Sequence, residues 1–164
     1  MGDATTSPCS NDIVVDTTAP TWNGFINPAA TVNQNVLNYT FTWNAATDGG
    51  GSGLTATPYV IRKYSLSGCA GGFVATAAQA AASYNYAGMV DGNTYSIKVV
   101  TTDNAGNSTT SPCSNDIVAD TTPPTLNISA GPSLTYANSS STVTYTLTYG
   151  GATTSTLVAG DITL

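Results

Sequence analysis

The sequence has no histidine and no glutamate, and only three basic residues, Arg62, Lys63 and Lys98, among 164. All nine acidic residues are Asp. Without His or Glu the usual proton shuttles are missing, and a Ser–His–Asp arrangement cannot be assembled. The chain therefore reads as a non-enzyme. A net charge of −6 with no cluster of Lys or Arg argues against nucleic acid as a partner. No apolar run approaches the roughly 18 residues of a membrane span. No signal peptide is present either: Met1-Gly2 is followed at once by repeat sequence and reads as an expression start. Helical periodicity is missing as well. The Ala-rich stretch 77–83 is short and has no amphipathic face. The glycine run Gly49 to Gly53 lacks the Lys and the helix of a phosphate loop, and no RGD occurs.

What fills the chain instead is Thr, Ser, Asn, Ala and Gly, with Val and Tyr supplying strand propensity. Within it a run of seventeen residues occurs twice, 104 positions apart: TTSPCSNDIVVDTTAPT at Thr5 to Thr21 and TTSPCSNDIVADTTPPT at Thr109 to Thr125. They differ only at Val15 against Ala119 and Ala19 against Pro123. A period of about a hundred residues is the size of one small β domain and marks a tandem array. The chain divides accordingly into the terminal strand and linker of a preceding repeat (1–18), one full domain (19–120), and the opening part of a further domain (121–164).

The period also explains an odd cysteine count. Cys9 and Cys113 are the same repeat position, so within the full unit Cys113 has Cys69 as its one available partner, and the equivalent partner of Cys9 falls upstream of residue 1. A Cys69–Cys113 disulfide is expected, with a stabilisation of roughly 4 kcal/mol from loop closure and an oxidising, extracellular compartment implied. A free buried thiol is the alternative. A metal site is the remaining one, weakened by the absence of His and of CxxC.

Strand patterns run through the full unit. Leu37, Tyr39, Phe41 and Trp43 alternate with Asn and Thr. A loop follows, and then a second strand over 57–66 in which Tyr59 and Ile61 are core candidates. Phe73-Val74 is a short strand, and 80–86 carries Tyr84 and Tyr86. Tyr95, Ile97 and Val99 alternate with Ser96 and Lys98, and a final strand is expected over 108–118. Seven short strands joined by Gly, Asn, Asp and Pro turns predict an all-β, seven-stranded antiparallel sandwich. Lys98 falls on the outward alternation and reads as solvated, which leaves an isopeptide crosslink without a buried Lys. Beyond Pro124, Val143, Tyr145, Leu147 and Tyr149 alternate with Thr, Gly150-Gly151 turns the chain, and 155–158 follows as another strand. This tail predicts a partial second Ig-like β-sandwich, which needs further strands or a partner strand to cover its face.

The segment Met89-Val90-Asp91-Gly92-Asn93-Thr94-Tyr95-Ser96-Ile97-Lys98-Val99 resembles the E–F corner of fibronectin type III domains, and 102–108 (TDNAGNS) resembles their F–G loop in bacterial Ig-like repeats. Trp43 matches the strand B tryptophan, and 16–21 (DTTAPT) is similar to the linker that opens many such repeats. The resemblance covers about 19–120. It implies that Trp43 fills the space between two sheets and that Tyr95 is the tyrosine corner, with sugar stacking as the alternative use of either ring. The Cys69–Cys113 pair departs from the family, most members of which lack it.

On that strand order the B–C loop with Asp48, the F–G loop with Asp103 and the incoming linker with Asp16 share one pole. Two readings stand: a structural calcium bridging the domain junction, with Asn104 and backbone carbonyls as further ligands, or turn-forming Asp residues held by local hydrogen bonds. The following B–C-type loop, 149–154, contains no Asp to repeat the arrangement. No cofactor is required otherwise. The function expected is a structural spacer of a bacterial surface adhesin or fibre, extracellular, with neighbouring repeats of the same chain as partners and any host ligand or further fibre chain engaged by other domains. A ligand-binding fibronectin-like module and an accessory spacer of a secreted polysaccharide-active enzyme are the alternatives, which fold alone does not separate.

Overall fold

A computed structural model describes residues 5–151. The chain divides between Thr121 and Thr122 into two units. The first holds nine strands: β1 (Phe25–Asn27), β2 (Val32–Gln34), β3 (Asn38–Trp43), β4 (Leu54–Tyr64), β5 (Val74–Ala75), β6 (Ser83–Ala87), β7 (Thr94–Asp103), β8 (Ser108–Thr110) and β9 (Ile117–Ala119). They form one three-stranded sheet, β1-β3-β6, and a second sheet in the order β2-β9-β7-β4-β5, with β8 also on β7. The described residues contain no α-helix, only a single 3-10 turn at Ser67–Cys69. This is an Ig/fibronectin III-like β-sandwich.

The alternation read in β3 becomes one wall of the core. Phe41 and Trp43 are buried, and they meet Tyr59 and Ile61 from β4, Tyr95, Ile97 and Val99 from β7, and Ile117 and Ala119 from β9. Trp43 sits edge-on to Tyr59, centroids 5.4 Å apart, and Tyr86 edge-on to Tyr95 at 5.0 Å. Both are favoured arrangements for opposed ring quadrupoles. The two tyrosine hydroxyls are satisfied from the backbone: Tyr59 accepts from Ala46 N–H at 3.0 Å and Tyr95 from Val90 N–H at 2.7 Å. The Tyr95 contact fastens strand β7 to the chain entering it. Tyr95→Phe keeps the ring and removes the acceptor, so urea denaturation should show a loss of about 1–2 kcal/mol. An unchanged midpoint would mean that water replaces the hydroxyl fully.

The structure differs from the sequence expectations in several places. Leu37 lies outside β3 and is 41 % exposed, so the apolar stripe starts at Tyr39. The second strand begins at Leu54, before Pro58, because a bulge between Leu54 and Tyr59 lets a residue without an N–H sit inside the pairing. Ser96, read as outward, is fully buried: its Oγ accepts from Cys69 N–H (2.9 Å) and donates to Leu66 O (2.9 Å), because the 66–69 turn is drawn over that face. The expected final strand over 108–118 is two strands, β8 and β9, interrupted around Pro112. There Ser111 and Ser114 carry the ladder. Each backbone N–H donates to β7, at Val99 O (2.8 Å) and Ile97 O (2.9 Å), and each hydroxyl accepts the return bond from Val99 N–H (2.9 Å) and Ile97 N–H (3.0 Å). Side-chain oxygens thus replace two carbonyls that the kinked backbone turns away. Finally, β2 pairs β9 in parallel, so the second sheet is mixed and not wholly antiparallel.

The second unit contains β10 (Thr125–Ala130) and β11 (Thr146–Gly150), an antiparallel pair. The strand read from Val143 starts at Thr146, and the expected strand 155–158 lies outside the described residues. Leu126, Ile128, Tyr145 and Tyr149 are each more than a third exposed. A two-stranded sheet is marginal in water by itself.

Candidate functional site

Three loops meet where the chain enters the sandwich. Asp16 comes from the incoming linker, Asp48 from the β3–β4 loop, and Asp103 from the end of β7. One carboxylate oxygen of each lies within 4.8 Å of the others. Oxygens bound to one calcium at 2.3–2.6 Å are at most about 5 Å apart, so this spacing fits a single ion.

Each carboxylate is aimed by short-range hydrogen bonds. Asp103 is fully buried, and its two oxygens accept from the backbone N–H (2.8 Å) and side-chain amide (2.9 Å) of Asn107. Asp48 accepts from Gly50 N–H at 3.1 Å and from the Ser52 hydroxyl at 3.4 Å. Asp16 accepts from Thr18 N–H at 2.9 Å and Ser52 N–H at 3.1 Å. The Ser52 hydroxyl, and then the Thr18 backbone, hold the Asp16 carboxyl below the ordinary value of 3.8, while its partial burial pulls the other way. The Asn107 amide also donates to Asp16 O at 3.1 Å, which ties the linker to the β7–β8 turn.

Close approach of these loops depends on Gly50. A Cβ there would collide with the Asp16 carboxylate and lie 2.7 Å from Thr18 Cβ. Asn104, expected as a ligand, acts as a clamp: its amide donates to Ser52 O (2.8 Å) and Leu54 O (3.2 Å) across the two loops. Sequence reasoning missed Gly50, Ser52 and Asn107. The first two lie in a glycine run read only as part of a loop, and the third in the 102–108 segment read only as an F–G loop.

Among the described residues the Lys and Arg side chains belong to the other end of the β4–β7 pair. Arg62 pairs with Lys98 in the β4–β7 register, whereas Asp103 pairs with Leu54. Lys98, the nearest along β7, is five residues from Asp103, about 17 Å of extended strand. The arrangement offers hard oxygen donors. What it can do chemically is hold a cation and lock the linker against two loops.

The remaining candidates fall elsewhere. Cys69 and Cys113 form a disulfide, Cα atoms 5.8 Å apart, joining the 66–69 turn to the β8–β9 connection, and Cys9 is free and exposed. Trp43, Tyr59 and Tyr95 are in the core, which leaves no ring face for a sugar. The indole Nε1 of Trp43 is buried without a hydrogen-bond partner.

No protein-family model matches the chain, and no curated protein matches it. Among solved structures it is similar to the twitchin kinase region from C. elegans (Fn31-NL-kin-CRD-Ig26), at 16 % identity and a TM-score of 0.43. The likeness covers 62 % of this chain and 16 % of that one.

Proposed function

We propose that the chain is a structural spacer from a tandem array of β-sandwich repeats, serving an extracellular bacterial surface adhesin or fibre, with calcium stiffening the junction at Asp16. The observation that carries this reading is that a carboxylate on the linker lies in one oxygen cluster with carboxylates from two loops of the domain that follows it. A bound divalent ion there removes the repulsion among three charges and restricts the hinge. Near-identical linkers 104 residues apart suit repeated geometry more than catalysis. The disulfide and the low charge agree with an oxidising environment. No reaction is assigned to the chain.

Calcium at about one hundred times its Kd should stabilise the first unit by about 2.7 kcal/mol, a rise in Tm of roughly 10 °C or more, reversed by EGTA. Asp48→Asn should abolish the rise. A Tm indifferent to both calcium and EGTA would remove the proposal. Acid should mimic EGTA. Asp16, whose carboxyl is depressed in the folded chain, contributes stability that is fully present above its unfolded value. That contribution is lost as pH falls through its lower folded value, so the junction should loosen below about pH 4 and stay intact above it.

A further inference from the structure

All three basic residues of the chain stand on two neighbouring strands of the second sheet, Arg62 and Lys63 on β4 and Lys98 on β7. Arg62 and Lys98 are register partners in the antiparallel β4–β7 ladder. Side chains directly opposite in such a ladder share one face, with Cβ atoms about 5 Å apart, and like charges there destabilise the sheet. Both of these side chains are half-buried. The chain has nine aspartates, yet among the described residues none forms an ion pair with a base. Asp116, which reaches the 66–69 turn, is engaged by Gly68 N–H at 2.9 Å and by the Ser67 hydroxyl. Lys63 points to the opposite face, its ammonium 5.5 Å from the Tyr86 ring centroid.

The surroundings of the Arg62–Lys98 pair are apolar on both sides. Two residues back on β4 and two residues on along β7 lie Val60 and Val100, themselves opposite each other and half-buried on the same face. On the other side the Arg62 guanidinium lies over the Phe73 ring, 4.9 Å from its centroid. Phe73 is 48 % exposed and packs 5.7 Å from Tyr64, and Leu66 beyond it is 55 % exposed. The ring contact steadies the cation and uses none of its N–H donors. Neither Arg62 nor Lys98 donates a side-chain hydrogen bond among the described residues.

The pair sits on the flank of the sandwich. Lys98 is five residues from Asp103, where the linker enters, and four from Thr94, beside which Val118 leads out. Its exposure follows from the β4–β7 pairing and owes nothing to the chain ends. At 0.1 M salt the screening length is about 10 Å. The acidic pole, about 17 Å along β7, therefore does little to cancel the field at the pair.

We infer that this face of the second sheet is a docking surface for an acidic polypeptide, with Arg62 and Lys98 receiving a carboxylate of the partner. A carboxylate matches the planar fork of a guanidinium, and the Lys98 ammonium supplies a second charged donor. Apolar side chains next to that carboxylate in the partner's sequence pack on Phe73 and Leu66 at one rim and on Val60 and Val100 at the other. A second copy presenting the same face would set two cation pairs against each other, which disfavours the isologous contact. An acidic polysaccharide brings carboxylates but no side chains for the rims. The docking adds a lateral partner to the spacer and needs neither calcium nor a neighbouring repeat.

The test uses the whole chain in calcium-free buffer and a fluorescein-labelled octapeptide of alternating Asp and Leu, followed by anisotropy. The peptide should bind, and both its Asn–Leu counterpart and polygalacturonate should bind at least about tenfold more weakly. Arg62→Gln and Lys98→Gln should each weaken peptide binding about tenfold. Lys98→Glu should abolish binding and raise the urea midpoint, because it turns a like-charge pair into an opposite one. A residue kept for folding would lower the midpoint when replaced, whereas a residue kept for a partner gives up binding and gains stability. Equal affinity for the Asn–Leu peptide, preference for polygalacturonate, unchanged affinity in both Gln variants, a lowered midpoint in Lys98→Glu, or no binding at about 1 mM peptide would each overturn the inference. So would self-association of the chain lost in the Gln variants, which would assign the face to a second copy. Calcium-dependent melting of the same chain scores the spacer proposal separately.

Discussion

Reducing the Cys69–Cys113 bridge should lower the stability of the first unit by about 4 kcal/mol, the loop-closure value for a separation of 44 residues. For a domain of about a hundred residues that is a fall in Tm on the order of 15–30 °C. The entropic part acts on the unfolded chain, which gains freedom when the crosslink opens. A folded-state part adds to it. The bridge holds the 66–69 turn against β7, where Ser96 is buried and relies on Cys69 N–H and Leu66 O for its hydrogen bonds. If the turn lifts, Ser96 loses those partners and exchanges them for water. Urea denaturation of a Cys69→Ser, Cys113→Ser double variant should show the loss without added reductant, and Cys9→Ser should show none, since Cys9 is exposed and free. A loss below about 1 kcal/mol would mean that residual structure already closes this loop in the unfolded state.

How much of this was legible in the sequence depends on the range of the interactions. The β3 alternation, Tyr95 and the near-identical repeat are local or periodic signals, and they led to the sandwich, the buried Trp43 and the convergence of Asp16, Asp48 and Asp103. Ser96 was illegible because its burial is imposed from outside its strand, by a turn that the disulfide pins 27 residues away in sequence. The break in the last strand was signalled by Pro112, but the repair by Ser111 and Ser114 hydroxyls has no pattern that separates them from surface serines. The parallel β2–β9 contact was illegible for the same reason: Val32–Gln34 is three residues long and carries no period. Gly50 was visible as a glycine, yet its reason, the carboxylate of Asp16 lying where a Cβ would go, exists only once linker and loop are brought together.

Trp43→Ala should cost about 3–5 kcal/mol, the range for emptying an aromatic site in a packed core. The argument rests on what the indole touches. It bridges the two sheets, tilted against Trp22 at 6.3 Å and edge-on to Tyr59 at 5.4 Å. Tyr59 in turn holds Ala46 N–H through its hydroxyl, so a collapse around position 43 also disturbs the loop that carries Asp48. Trp43→Phe should behave differently. It forfeits part of the packing but removes the unpartnered buried Nε1, a desolvated donor that costs about 1–3 kcal/mol in the native protein. The two terms oppose, so the Phe variant should lose less than half of what the Ala variant loses. Chemical denaturation of the pair decides the matter. Equal losses would show that the indole N–H finds a water in solution. An Ala loss under about 1 kcal/mol would show that the sandwich does not close around Trp43 at all.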